Sequence, residues 1–118
     1  MRAGYARMKR PGRLYDSDYS ETFLEKKNSP SFKNLITTIE NKCNLILQAP
    51  YSACKSERLK WNYRGKRSGR INDQYRVEYM ICEECIKQND YDYNHTDCPD
   101  CQRVALKRVR FIDITDYH

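Results

Sequence analysis

Apolar positions recur with two different periods along this chain, and the change falls at Pro50. Before it, Phe32, Leu35, Ile36, Ile39, Cys43, Ile46 and Leu47 follow one another at three- and four-residue steps in SPSFKNLITTIENKCNLILQAP, which places them on one helical stripe. Ser29 or Ser31 can cap that helix and Pro50 ends it, while ETFLEKK is expected to add a weaker helical turn ahead of it. After Pro50 the period shortens to two. Leu59, Trp61 and Tyr63 alternate with polar residues in ERLKWNYR, and Tyr75, Val77, Tyr79 and Ile81 do so in DQYRVEYMIC. The glycines of GKRSG predict a turn between these strands, and the β-branched and aromatic tail RVALKRVRFIDIT predicts a third strand. Residues 1–20 carry Arg2, Arg7, Lys9, Arg10 and Arg13 with almost no aliphatics, so they are expected to form a disordered basic arm. Residues 21–118 then make a single domain.

Four cysteines punctuate the segment between the second and third strands. CEECIKQNDYDYNHTDCPDC holds two C-x-x-C pairs, Cys82 with Cys85 and Cys98 with Cys101, twelve residues apart. Too little hydrocarbon lies between them to offset the entropy of ordering the loop, so another staple is needed. Two facing C-x-x-C knuckles complete a tetrahedron of thiolates at about 2.3 Å from a zinc ion. A strand entering the first knuckle and one leaving the second gives a zinc-ribbon arrangement. The fold expected is therefore α+β: an amphipathic helix plus a small antiparallel sheet around a four-cysteine zinc ribbon. His95, three residues before Cys98, is a competing ligand. Cys43, on the helical stripe, reads as a buried thiol, whereas Cys54 has no clear set to join.

Charge sharpens the picture. The 118 residues carry a formal charge of +6, and charged residues make up 32% of the chain, which favours an acidic partner and a small core. Residues 51–80 hold eight basic residues against three acids, and residues 81–102 hold six acids against Lys87 alone. The candidate RNA-binding set is Arg58, Lys60, Arg64, Lys66, Arg67, Arg70, Arg76, Arg103, Lys107, Arg108 and Arg110. Trp61, Tyr63 and Tyr75 lie among these cations, a combination suited to single-stranded or structured RNA; the same aromatics could instead form the apolar face of the sheet. Glu83, Glu84, Asp90, Asp92, Asp97 and Asp100 read as a solvated acidic face of the zinc loop.

Other chemistry is not signalled. The sequence contains no Walker loop, G-x-G-x-x-G, H-E-x-x-H or G-x-S-x-G, and a closed four-thiolate site has no position for an activated water. The expectation is that the protein is not an enzyme and has no catalytic residues. No apolar run reaches the length of a membrane span, and no apolar stretch follows the basic N-terminal residues, so an intracellular location is expected. The clusters KRPGR and RGKRSGR could extend that to the nucleus or nucleolus.

Two resemblances follow from these motifs. YRVEYMICEEC…CPDCQRVALKRV resembles the C-terminal zinc ribbon of the beta subunit of translation initiation factor 2, over about 35 residues. In size, basic arm, basic patch and four-cysteine finger, the whole chain looks like the small cysteine-rich proteins of plant RNA viruses, which implies zinc-dependent RNA binding and suppression of RNA silencing. The alternatives are a protein-interaction adaptor that docks a host protein through the zinc module or the helix, and an initiation-factor-like zinc ribbon. A helical stripe wider than one sheet face would also leave surface for a homodimer.

Overall fold

Among the described residues a five-stranded sheet in the order β1–β5–β4–β3–β2 forms the frame, with the helices that precede Pro50 laid on one face. The computed structural model describes residues 14–59, 65–88 and 106–116. Its strands are β1 (Asp16–Tyr19), β2 (Glu57–Arg58), β3 (Lys66–Arg70), β4 (Tyr75–Ile81) and β5 (Arg108–Asp116), and its helices are α1 (Glu21–Lys27), α2 (Ile36–Gln48) and α3 (Cys82–Gln88).

Local chemistry explains the first half. Ser20 caps α1 by accepting from Phe23 N at 3.0 Å, Glu21 stands in the first turn, and Lys26 and Lys27 stand in the last, each matching the helix dipole. Lys26 Nζ reaches Asp113 at 2.7 Å and the Ile114 carbonyl at 3.1 Å, fixing α1 to β5. The predicted long helix exists in two pieces. Pro30–Leu35 forms a 3-10 segment and α2 continues from Ile36. Ile39, Cys43, Ile46 and Leu47 are buried on α2, as the stripe predicts, and meet Val77, Tyr79, Ile81, Val109, Phe111 and Ile114 of the sheet. Each such side chain contributes roughly 1.5–3 kcal/mol by leaving water. The sheet covers these four side chains, whereas Leu35 and Ile36 of the same stripe are half-buried.

Three expectations are corrected. Residues 14–20 do not belong to a disordered arm: Tyr15 is buried and β1 pairs in parallel with β5, Asp16 opposite Arg108 and Tyr19 opposite Phe111. The stretch KRSGR is a strand rather than a turn, antiparallel to β4 with Lys66 opposite Met80 and Arg70 opposite Arg76. The reversal lies at residues 71–74 instead, where Asn72 Oδ1 accepts from Gln74 N and Tyr75 N at 2.9 and 2.8 Å, an Asx-type turn. Third, the first C-x-x-C forms the start of α3, and the sheet is mixed and five-stranded rather than a zinc ribbon. Gly69 has a packing role, because a Cβ there would come within 3.0 Å of Ile46 Cδ1 and 3.4 Å of Cys54 Cβ, where α2 and the following turn lie against β3.

Candidate active site

A cleft of about 450 Å³ opens where β3, the chain after α2, and α3 come together, lined by Tyr51, Arg58, Arg67, Glu83, Glu84 and Lys87. Its floor is Arg67. On β3 this residue stands opposite Tyr79, on the helix-covered side of the sheet, and its side chain is 12% exposed. Arg67 Nε donates to both oxygens of Glu84, at 2.6 and 3.1 Å, and Nη1 donates to Ser56 Oγ at 3.0 Å. The guanidinium also lies over the Tyr51 ring, 5.0 Å from its centroid.

Two left-handed residues deliver Ser56 to that position. Cys54 and Lys55 have φ of 57° and 55°, a conformation that costs side-chain-bearing residues on the order of 1–3 kcal/mol each unless the surroundings impose it. The reversal is tied down by Cys54 Sγ, which donates to the Lys42 carbonyl at 3.6 Å, and by Ser56 N, which donates to the Ala53 carbonyl at 3.1 Å.

Glu83 occupies the opposite wall. Its Oε2 accepts from the phenols of Tyr15 at 2.9 Å and Tyr51 at 2.8 Å. Burial and the neighbouring carboxylate push the Tyr15 phenol from its ordinary 10.0 up to about 12, and the same two causes push Tyr51 upward, so both remain protonated donors. The cleft therefore holds cations that bind oxyanions, a carboxylate fixed by two hydroxyls, and a half-exposed phenol beside it.

The residues singled out by sequence fall unevenly. Arg58 and Arg67 enter the cleft. Lys66, Arg70 and Arg76 lie along β3 and β4, and Arg108 and Arg110 along β5; Arg76 pairs with Glu78 at 3.7 Å and Arg110 pairs with Asp18. Lys107 Nζ sits 5.0 Å from the Tyr15 ring centroid. Lys60, Arg64, Arg103, Trp61 and Tyr63 lie outside the described residues. Tyr75 packs edge-on against Phe32 at 4.9 Å, in the core rather than as a stacking platform. RGKRSGR is no open linear address, since Ser68 and Gly69 are buried in β3.

Of the proposed zinc ligands, Cys98 and Cys101 lie outside the described residues, as does His95. Cys82 Sγ accepts from Leu106 N at 3.3 Å, and buried Cys85 rests against Met80 and Ile112. Among the described residues no three His, Cys, Asp or Glu side chains group as a metal site. Cys43 is a buried thiol, as expected, raised to about 12 by burial.

Sequence reasoning missed Tyr15, Tyr51, Glu83 and Glu84. The two acids read as a solvated face because they sit in an acidic loop, yet Glu84 is buried. The available signal was their position: CEEC follows directly on β4, and a helix there turns its acids toward the neighbouring strand, which carries Arg67.

No family model matches the sequence, and no curated protein is significantly similar to it. Its fold is similar to solved bacterial structures. The YoeB/ParE toxin from Agrobacterium tumefaciens superposes with a TM-score of 0.59 at 13% identity, covering 87% of this chain and 99% of that one. The YoeB-YefM complex from Staphylococcus aureus gives 0.55 at 18% identity, covering 88% and 97%, and the YoeB dimer from the same organism gives 0.54 at 18% over the same shares. The fold is that of these toxins.

The likeness overturns the sequence-based resemblances. The fold matched is that of the toxin structures, and the described residues form a mixed five-stranded sheet, so the plant-virus and initiation-factor resemblances are corrected and the reading as a zinc-dependent regulatory protein falls with them. The expectation that the chain is not an enzyme is corrected on the same ground, because it rested on a closed zinc module and the fold found is instead that of the toxin structures. No helix among the described residues is long and apolar enough to cross a membrane.

Proposed function

We propose that this chain is a toxin-type endoribonuclease, acting on RNA in the cleft beneath α3 and restrained by an antitoxin partner. The observation that carries the reading is the convergence of Arg67 and Arg58 with the Glu83–Tyr51 pair in a single cleft. The +6 charge of the chain supports a polyanionic substrate, and the solved toxin–antitoxin complex of a fold neighbour supports the partner.

The chemistry follows from the donors. Arg67 and Arg58 hold the non-bridging oxygens of one phosphate and offset the charge that grows on them as a fifth oxygen approaches phosphorus. Glu83 takes the proton of the adjacent ribose 2′-hydroxyl, whose oxygen then attacks. The new P–O2′ bond forms as the P–O5′ bond breaks, and Tyr51, kept protonated by its surroundings, gives its proton to the leaving 5′-oxygen. Glu83 returns the first proton to Tyr51 across their 2.8 Å hydrogen bond, which restores both groups. The products are a 2′,3′-cyclic phosphate and a 5′-hydroxyl.

The test is direct. Purified chain, freed of any partner, should cut RNA to fragments ending in cyclic phosphate, and Glu83→Gln or Arg67→Ala should slow cutting by about 100-fold or more. RNA left intact by the wild-type chain, both naked and on ribosomes, refutes the proposal.

A further inference from the structure

Glu84 stands where the cleft has most use for an anion. Its carboxylate accepts twice from Arg67 Nε and lies 3.9 Å from Arg58 Nε, and its side chain is 7% exposed. Two guanidinium groups converging on one pair of oxygens is the arrangement that receives the non-bridging oxygens of a phosphodiester. Glu84 and Ser56 already take Arg67 Nε and Nη1, and a phosphate brought to the same guanidinium would stand against the Glu84 carboxylate, like charge beside like charge.

We infer that Arg67 and Arg58 form the phosphate subsite for RNA and that Glu84 is its built-in occupant, displaced when RNA enters. The inference rests on the cleft being the RNA site. Two features make the displacement feasible. α3, which carries Glu84, is anchored by Cys85 on a small cluster with Met80 and Ile112, separate from the main core. Lys87, one turn further along α3, lines the same cleft and is exposed. Residues three apart on a helix are neighbours, so Lys87 takes the displaced carboxylate by rotation of the Glu84 side chain alone, while Glu83 keeps its place beside Tyr51. Arg67 thus exchanges one oxyanion for another and is never left buried and unpaired, the state that costs most.

The test measures binding without cleavage, using a short RNA whose 2′-hydroxyls are methylated. Glu84→Gln should bind it about ten-fold more tightly than wild type. The double variant Arg67→Ala with Glu84→Ala, which buries no unpaired charge, should bind no better than wild type. Should Glu84→Gln prove too unstable to purify, Glu84→Asp retracts the carboxylate by one methylene and should also tighten binding. Glu84→Gln or Glu84→Asp binding no more tightly than wild type overturns the inference, as does a double variant that matches the tightened single one. Because the probe cannot be cut, a tightened Glu84→Gln in a chain that cleaves nothing keeps the subsite and discards only the nuclease reading.

Discussion

Ser56 Oγ lies 2.6 Å from the phenol oxygen of Tyr79, and that phenol donates to the Pro50 carbonyl at 2.6 Å. With Arg67 Nη1 donating to Ser56 at 3.0 Å, one chain of hydrogen bonds runs from the cleft into the middle of the sheet. Tyr79 is fully buried, so removing its hydroxyl leaves the Pro50 carbonyl and Ser56 one bond short. Tyr79→Phe should cost about 1–3 kcal/mol in urea denaturation and loosen Arg67 as well, seen as a lower RNA affinity at equal protein concentration. A phenylalanine variant with wild-type stability would show that water or rotation of Ser56 supplies the missing bond.

Gly69→Ala should destabilise by about 1–3 kcal/mol, because the added methyl meets Ile46 at 3.0 Å on a helix that cannot retreat without opening the core. Shortening the obstacle should relieve it: in the Ile46→Val background the same change should cost measurably less, a coupling read from a double-mutant cycle.

Alkaline pH should unfold the protein early. Burial, ahead of other causes, raises the Tyr15 and Tyr79 phenols from 10.0 to about 12 and the Cys43 thiol from 9.0 to about 12. Groups raised in the folded state stay protonated there while the unfolded chain ionises. The stability they contribute is whole below about pH 9 and is lost as pH rises from 9 through 12. Melting temperature should fall across that window, and Tyr79→Phe should flatten the fall. A melting temperature constant to pH 11 would contradict it.

For the cysteines we propose that Cys82 and Cys85, with Cys98 and Cys101, hold one zinc ion. Native mass spectrometry should find one zinc per chain, lost in Cys98→Ser, whereas Cys43→Ala should keep the metal and cost about 1–2 kcal/mol through packing. A wild-type chain without zinc would leave Cys85 as a packing residue of the Met80–Ile112 cluster.

Where one face of an element alone decided its state, the sequence was readable. The α2 stripe was plain, and Cys43 was correctly placed in the core, because burial against a single surface imposes a single period; the alternation of β4 was legible too, although Glu78 and Met80 on its other face are buried as well. What escaped depended on neighbours distant in sequence. DSDY has no apolar alternation, and β1 exists because β5 offers it a ladder and Arg110 meets Asp18. The two glycines around KRS suggested a turn, yet Gly65, at φ 90°, starts the strand and Gly69 admits α2. Arg67 was among the expected cations, but its pairing with Glu84 across 17 residues follows from the strand–helix join at Cys82, and no local pattern reports it.

The parallel pairing of β1 with β5 also bears on when the protein can act. β5 lies between β1 and β4, so the sheet has a gap beside its centre until residues 108–116 are in place. Tyr15, which holds Glu83, is the residue next to β1, and β1 has no ladder before β5 arrives. During synthesis at about 5–20 residues per second the earliest described strand must wait for the latest one. A chain still being made would therefore lack the Tyr15–Glu83 contact, and the wall of the cleft that Glu83 forms would be the last part to be fixed.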